Sequence, residues 1–226
     1  MTYPYADVAK LIDHSLLQPN LTDAEMEAGL QVARAYNVAS VCIKPYYVRR
    51  AAEVLTGTDI RVCTVIGFPH GSHRTDVKVF ESERAMDDGA TELDMVVNVG
   101  KVLSGEWNYV AHDVAAVVTA AHARGAKVKV IFENALLKDA HKIELCKICG
   151  EVRADWVKTS TGYAETGATP EDLKLMRQHS PPHVQVKAAG GVRNFDRVLA
   201  VRAIGVSRIG ATATKAILDE CKARLG

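Results

Sequence analysis

The 226 residues carry 28 Lys and Arg against 27 Asp and Glu, a net charge of +1, with 48% apolar and 24% charged residues. This is the balance of a globular protein, and it excludes a disordered or fibrous chain. No basic field is available for nucleic acid or an anionic membrane surface, so the expected partner is a small molecule.

The opening residues Met1–Asp7 lack the basic and apolar regions of a signal peptide. No apolar run approaches the roughly 18 to 20 residues that span a bilayer. Five cysteines, an odd number, are scattered along the chain. With no export signal they read as reduced thiols, and a cytoplasmic location is expected.

Short β-rich runs alternate with helix-like stretches throughout. The runs are Leu11–His14, Ala39–Ile43, Val62–Ile66, Glu92–Val97, Val128–Phe132, Trp156–Lys158, Val184–Lys187 and Ser207–Gly210. Their starts are about 28 residues apart on average, the size of one strand–helix unit. Between them, Thr22-Asp23-Ala24-Glu25 forms a capping box, and Thr169-Pro170 pairs an N-cap with proline at the first helical position. Gly89, Gly125 and Gly205 follow helix-like stretches, where a left-handed residue ends a helix. No linker composition interrupts the pattern. The eight units predict a closed (β/α)8 TIM barrel, an α/β fold with a parallel sheet and outer helices, as one domain over 1–226.

Alternation along the strands then separates two faces. Leu93, Met95 and Val97 form an apolar set, as do Val128, Val130 and Phe132, Val41 with Ile43, and Val184 with Val186. These are expected to meet the helices. The opposite parity, expected in the lumen, holds Asp13, Cys42, Lys44, Glu92, Asp94, Asn98, Lys129, Glu133, Lys158, Ser160, Gln185, Lys187 and Arg208. Burying an unpaired ion costs several kcal/mol, and barrels place their chemistry at strand C-termini. The polar lumen therefore reads as a site rather than a salt-bridged core.

Lys158 and Lys187 end the sixth and seventh strands in inward phase. A free lysine has a pKa near 10.4 and is about 99.9% protonated at neutral pH. A second ammonium about 6 Å away costs roughly 3 kcal/mol at an effective dielectric of 20, or about two pKa units. Paired lysines are thus a means to a nucleophilic amine for a Schiff base. Asp94, on the same lumen, is placed to act as counter-ion or as proton relay.

The motifs Glu92-Leu93-Asp94-Met95-Val96-Val97-Asn98, Val157-Lys158-Thr159-Ser160-Thr161-Gly162 and Val186-Lys187-Ala188-Ala189-Gly190-Gly191 closely resemble the deoxyribose-phosphate aldolase family. So do Leu11–His14, Val41–Ile43, Thr64–Pro69 and Arg208–Gly210, and the likeness runs in order from about residue 8 to the C-terminus. It is nearest the short bacterial form. The resemblance implies a class I lyase without metal or cofactor that reversibly cleaves 2-deoxy-D-ribose 5-phosphate to acetaldehyde and D-glyceraldehyde 3-phosphate. It implies Lys158 as the Schiff-base lysine, Lys187 as its perturbing partner and proton shuttle, and Asp94 as the carboxylate acting with Lys187. Cys42, Asp13 and Thr161 fall to the substrate pocket. It also favours a homodimer or homotetramer.

For the phosphate, Gly162, Gly190, Gly191, Gly210, Ala211 and Thr212 are expected, since barrels bind phosphate on the loops after strands seven and eight. The family's usual serine-rich segment reads Gly210-Ala211-Thr212-Ala213-Thr214 here, and Tyr163 stands where longer members have a lysine. Cys146-Lys147-Ile148-Cys149 is a lone CxxC and is expected to pack within a helix. His14, His70 and His73 lack the spacing of a zinc site, and the apolar helix through Ala115–Ala121 reads as barrel packing. Two rivals remain: another Schiff-base aldolase with a different acceptor aldehyde, and a non-catalytic barrel that senses sugar phosphates.

Overall fold

In the computed structural model of the chain, residues 3–225 are described; Met1, Thr2 and Gly226, the ends of the expected 1–226 domain, lie outside the described residues. Eight parallel strands close in sequence order into a barrel. They are β1 (Ile12–Leu16), β2 (Ser40–Ile43), β3 (Arg61–Ile66), β4 (Glu92–Val96), β5 (Lys127–Ile131), β6 (Trp156–Lys158), β7 (Gln185–Ala189) and β8 (Arg208–Ala211). After a short α1 (Tyr5–Ala9), the outer helices are α2 (Asp23–Tyr36), α3 (Val48–Leu55), α4 (Thr75–Asp87), α5 (Val99–Leu103) and α6 (Trp107–His122). The ring is completed by α7 (Asp139–Glu151), α8 (Pro170–His179), α9 (Phe195–Ala203) and α10 (Thr214–Leu225). Every expected strand is present; Trp156–Lys158 keeps both ends, and no end of the others moves by more than two residues.

The expected punctuation sits where the chain turns. Thr22 and Glu25 complete the capping box of α2, and the Thr169 side chain accepts from the Asp172 amide ahead of Pro170. The apolar strand faces are wholly buried against the helices: Leu93, Met95, Val128, Val130, Val41, Ile43 and Val186 have no exposure. Cys146 and Cys149 are buried in α7 in that same core.

Three lumen expectations fail. Lys44 lies one residue beyond β2, half-buried, and donates to the carbonyls of Pro19 (3.3 Å) and Leu21 (3.1 Å). Gln185 opens β7 at the opposite, N-terminal end of the barrel and is exposed. Alternation assigns a face only while the backbone is extended, and it does not say which end of the barrel a residue serves. Asn98, a third residue of that parity, has left the strand to cap α5, accepting from the Lys101 amide at 3.1 Å.

Candidate active site

The parallel register brings the site residues together two strands at a time. Lys158 of β6 is the direct partner of Lys187 of β7, and Asp94 of β4 that of Lys129 of β5. Closure then joins the two groups across the lumen. Asp94 Oδ2 accepts from Lys158 at 2.7 Å and from Lys187 at 2.8 Å, so the two amines share one oxygen. Lys129 holds the other oxygen, Oδ1, at 2.9 Å. Lys187 also meets Asp13 at 2.5 Å, and Lys129 meets Glu92 at 2.6 Å. Arg208 completes the network with Asp13 at 2.7 Å and Glu92 at 2.9 Å. Four basic groups thus face three carboxylates, and Asp13, Asp94 and Lys129 have no exposure at all.

The electrostatics follow from that crowding. Burial opposes ionisation of Asp94, but the ammonium groups of Lys129, Lys158 and Lys187 outweigh it and hold the carboxyl well below the usual range. Asp13 is likewise held down: burial works against it, and Lys187, Lys129 and Arg208 win. For Lys187, burial pulls downward, yet Asp13 and Asp94 hold its pKa above that of a free lysine. A lysine so anchored keeps its proton at neutral pH. Lys187 has two close carboxylate partners and Lys129 has two, with Asp13 at 3.9 Å beyond. Lys158 has one. The four bases exceed the three acids by one, and Lys158 is the lysine of the network with a single carboxylate partner.

Lys158 and Lys187 both reach open space, with 4% of the Lys158 side chain exposed against 1% of Lys187. A cavity of about 210 Å³ at the C-terminal mouth is lined by Lys158, Lys187, Cys42 and Thr161, with Ser15, Leu17 and Gln18 on the rim. The glycine loops close its far side: Gly162, Gly190, Gly191, Gly210, Ala211 and Thr212 all line it, as does Arg193. Asp13 and Asp94 lie beneath the cavity rather than on its wall. Gly190 needs its lack of a side chain, since its φ is +81° and a Cβ would come within 2.8 Å of the Gly167 Cα. That contact lets the loop after β6 lie against the loop after β7, tied by the Ala168 amide to the carbonyls of Ala189 and Gly190 at 3.0 Å.

Several parts of this site were not singled out from sequence. Lys129 was placed in the lumen but not on Asp94. Trp156 shares the parity of Lys158 two residues earlier, and its ring lies 5.6 Å from the Lys129 nitrogen and 5.2 Å from the Arg208 guanidinium. Glu133, at the left-handed φ of 58°, accepts from both the amide and the hydroxyl of Thr161 and so fixes the loop that follows Lys158. Tyr163 donates to the Leu17 carbonyl at 2.8 Å across the mouth. Its position is taken up by this contact, which a lysine could make only by a different geometry. His14 is buried behind the site against Thr214 at 2.7 Å, and His70 and His73 are exposed.

Comparison with known proteins converges on one family. A DeoC/LacD family aldolase model matches residues 7–219. A deoxyribose-phosphate aldolase of Rhodopirellula baltica is 56% identical over 224 residues, covering 99% of this chain and 93% of that protein. One of Caldanaerobacter subterraneus is 46% identical, covering 96% and 94%. Among solved structures, a tetrameric deoxyribose phosphate aldolase from Aeropyrum pernix superposes with a TM-score of 0.90 at 30% identity, covering 98% of this chain and 93% of that one.

Proposed function

Because this chain belongs to the DeoC/LacD family of aldolases, we propose that it reversibly cleaves 2-deoxy-D-ribose 5-phosphate to acetaldehyde and D-glyceraldehyde 3-phosphate through an imine on Lys158. The observation that carries the reading is the single Asp94 oxygen shared by Lys158 and Lys187 at the floor of the cavity. Names of relatives support the substrate; the shared oxygen supports the residue roles.

The Lys158 amine attacks the C1 aldehyde of the open-chain sugar, and loss of water gives the imine. The imine draws electrons as the C2–C3 bond breaks, and Lys187 takes the C3 hydroxyl proton as it hands its own proton to Asp94 Oδ2, which completes the relay. D-glyceraldehyde 3-phosphate leaves, and an enamine of acetaldehyde stays on Lys158. The relay returns a proton to C2, and water then hydrolyses the imine. Lys187 is anchored by Asp13 at 2.5 Å, so it delivers protons from a fixed position and adds positive charge beside the reacting amine. Cys42 and Thr161 shape the pocket without entering the bond changes. The backbone amides of Gly162, Gly190, Gly191, Gly210, Ala211 and Thr212 hold the phosphate, with Arg193 supplying charge from the rim.

The same reading treats 1–226 as one catalytic domain, since the family model spans 7–219. Its cytoplasmic setting is supported by five cysteines that are all free thiols. Among the described residues, no helix is long and apolar enough to cross a membrane. A homodimer or homotetramer is proposed from the Aeropyrum pernix tetramer, and light scattering coupled to gel filtration reads it directly. For the reaction, release of D-glyceraldehyde 3-phosphate from deoxyribose 5-phosphate is followed with a coupled dehydrogenase, with and without prolonged chelation. Release at equal rates in both is expected. Borohydride trapping of acetaldehyde without any release from this sugar would instead point to a different acceptor aldehyde.

A further inference from the structure

The lumen holds two thiols on neighbouring strands. Cys42 of β2 and Cys63 of β3 are direct partners in the parallel register and share the inward face. Their sulfurs and an oxygen of Asp94 lie within 4.8 Å of one another. Neighbouring strands run about 4.8 Å apart, within the roughly 4.4 to 6.8 Å Cα spacing over which a disulfide closes. A cation between the three groups is disfavoured, because three ammonium groups already surround Asp94.

The two thiols differ in access and in partners. Cys42 lines the cavity, whereas Cys63 has no exposure. Cys63 donates to Asp94 Oδ1 at 3.2 Å and accepts from Lys129 at 3.4 Å. The neighbouring Cys63 sulfur holds the Cys42 thiol below the usual range, while burial pushes Cys63 well above it. The thiolate is the reactive form, so the accessible sulfur is also the reactive one, and the sealed sulfur stands ready behind it.

We propose that a peroxide converts Cys42 and Cys63 into a reversible disulfide, and that this bond switches the site off. The Cys42 thiolate attacks one peroxide oxygen, the O–O bond breaks, and the departing hydroxide takes the proton that Cys42 gave up, leaving as water. Cys42 is then a sulfenic acid. The Cys63 sulfur attacks it, the S–O bond breaks, and the Cys63 proton passes by way of Asp94 Oδ1 to the departing hydroxide, giving a second water. Two thiols are oxidised to one disulfide and one peroxide is reduced to two waters. The bond withdraws the Cys42 sulfur from the cavity wall and removes the Cys63 contact from Asp94, turning the oxygen that Lys158 and Lys187 share. Direct strand neighbours sit farther apart at Cβ than a relaxed disulfide allows, so the bond is strained and easily reduced. That suits a transient switch in a reducing compartment.

The effect on activity rests on the proposed role of Asp94; the bond itself does not. The protein is treated with hydrogen peroxide, blocked with N-ethylmaleimide, digested and mapped by mass spectrometry, with activity read before and after dithiothreitol. A cross-linked Cys42–Cys63 peptide, about 2 Da lighter than its parts, is expected. Activity should fall at least about tenfold and return on reduction. In Cys63→Ser no such peptide forms, and Cys42 passes to sulfinic acid, which dithiothreitol does not reverse. In Cys42→Ser, Cys63 stays reduced. Sulfinic acid on Cys42 of the parent without the cross-link would overturn the proposal, as would unreacted thiols or a Cys146–Cys149 bond in its place. A cross-link that leaves turnover unchanged would overturn the switch. Were the protein inactive on deoxyribose 5-phosphate, the cross-link and its reduction would still be read by mass, so the two failures are distinct.

Discussion

Lys78 meets Asp113 at 2.5 Å between α4 and α6, and Lys158 meets Asp94 at 2.7 Å inside the barrel; all four side chains are almost wholly out of water. The first contact is closed. Lys78 also donates to the Val96 carbonyl at 3.0 Å, Asp113 also accepts from Thr75 at 2.8 Å, and the charges match one to one. The second is open. Its carboxylate is shared among three lysines, the surrounding bases outnumber the acids, and Lys158 faces a cavity. Burial alone therefore does not separate a structural ion from a reactive one. Charge balance and access do.

Breaking the two contacts should give opposite signatures. Lys158→Met is expected to lower kcat by roughly 10⁴-fold or more, because the covalent route is lost. It should leave urea stability within about 1 kcal/mol of the parent or above it, since three bases then face three acids. A large loss of stability would show that Lys158 is a structural ion after all. Lys187→Met should slow turnover by roughly 10² to 10⁴-fold if the proposed relay runs through it. Borohydride trapping by this variant should also move to higher pH, because an ammonium beside the reacting amine is gone and Asp94 Oδ2 then serves Lys158 alone. Coincident trapping curves for variant and parent would remove Lys187 from that role.

Lys78→Met is the converse case. It strands Asp113 in the core, and a loss of about 3 to 5 kcal/mol in urea is expected, with the pH profile of the surviving activity unchanged. Adding Asp113→Leu should recover most of that loss. A smaller effect belongs to His14, which is buried and, among the described residues, hydrogen-bonded through its side chain to Thr214 alone. Burial lowers its pKa from 6.5 to about 4, so the unfolded chain binds the proton first as pH falls. Stability should be full above about pH 6.5 and decline by roughly 2 to 4 kcal/mol towards pH 4, and His14→Gln should flatten that part of the curve. An unchanged slope would place the acid sensitivity elsewhere, in the carboxylates of the lumen.

The contrast also shows which buried charges a sequence discloses. Strand alternation put Asp13, Glu92, Asp94, Lys129, Lys158, Lys187 and Arg208 on one face, and closure of eight units required that face to be shared. What alternation lacks is the third dimension. It placed Lys129 in the lumen without its contact to Asp94, because that contact depends on the register that sets Asp94 of β4 opposite Lys129 of β5. It also sent Lys44 and Gln185 inward, though one has left the strand and the other sits at the far mouth. Lys78 carried no signal, since a lysine on a helix reads as a solvated face until a carboxylate from another helix covers it. The glycine mouth was legible residue by residue. Arg193 and the Glu133 hold on Thr161 were not, because each depends on where a loop falls rather than on a period.

The central claim is that Lys158, the lumen lysine with a single carboxylate partner, is the one that bonds carbon. Reduction of the protein–acetaldehyde mixture with borohydride, followed by peptide mass mapping, tests it directly. An added mass of about 28 Da, one ethyl group, on Lys158 is the predicted result, with Lys187 and Lys129 unlabelled. Label on Lys187 with Lys158 intact would contradict the account.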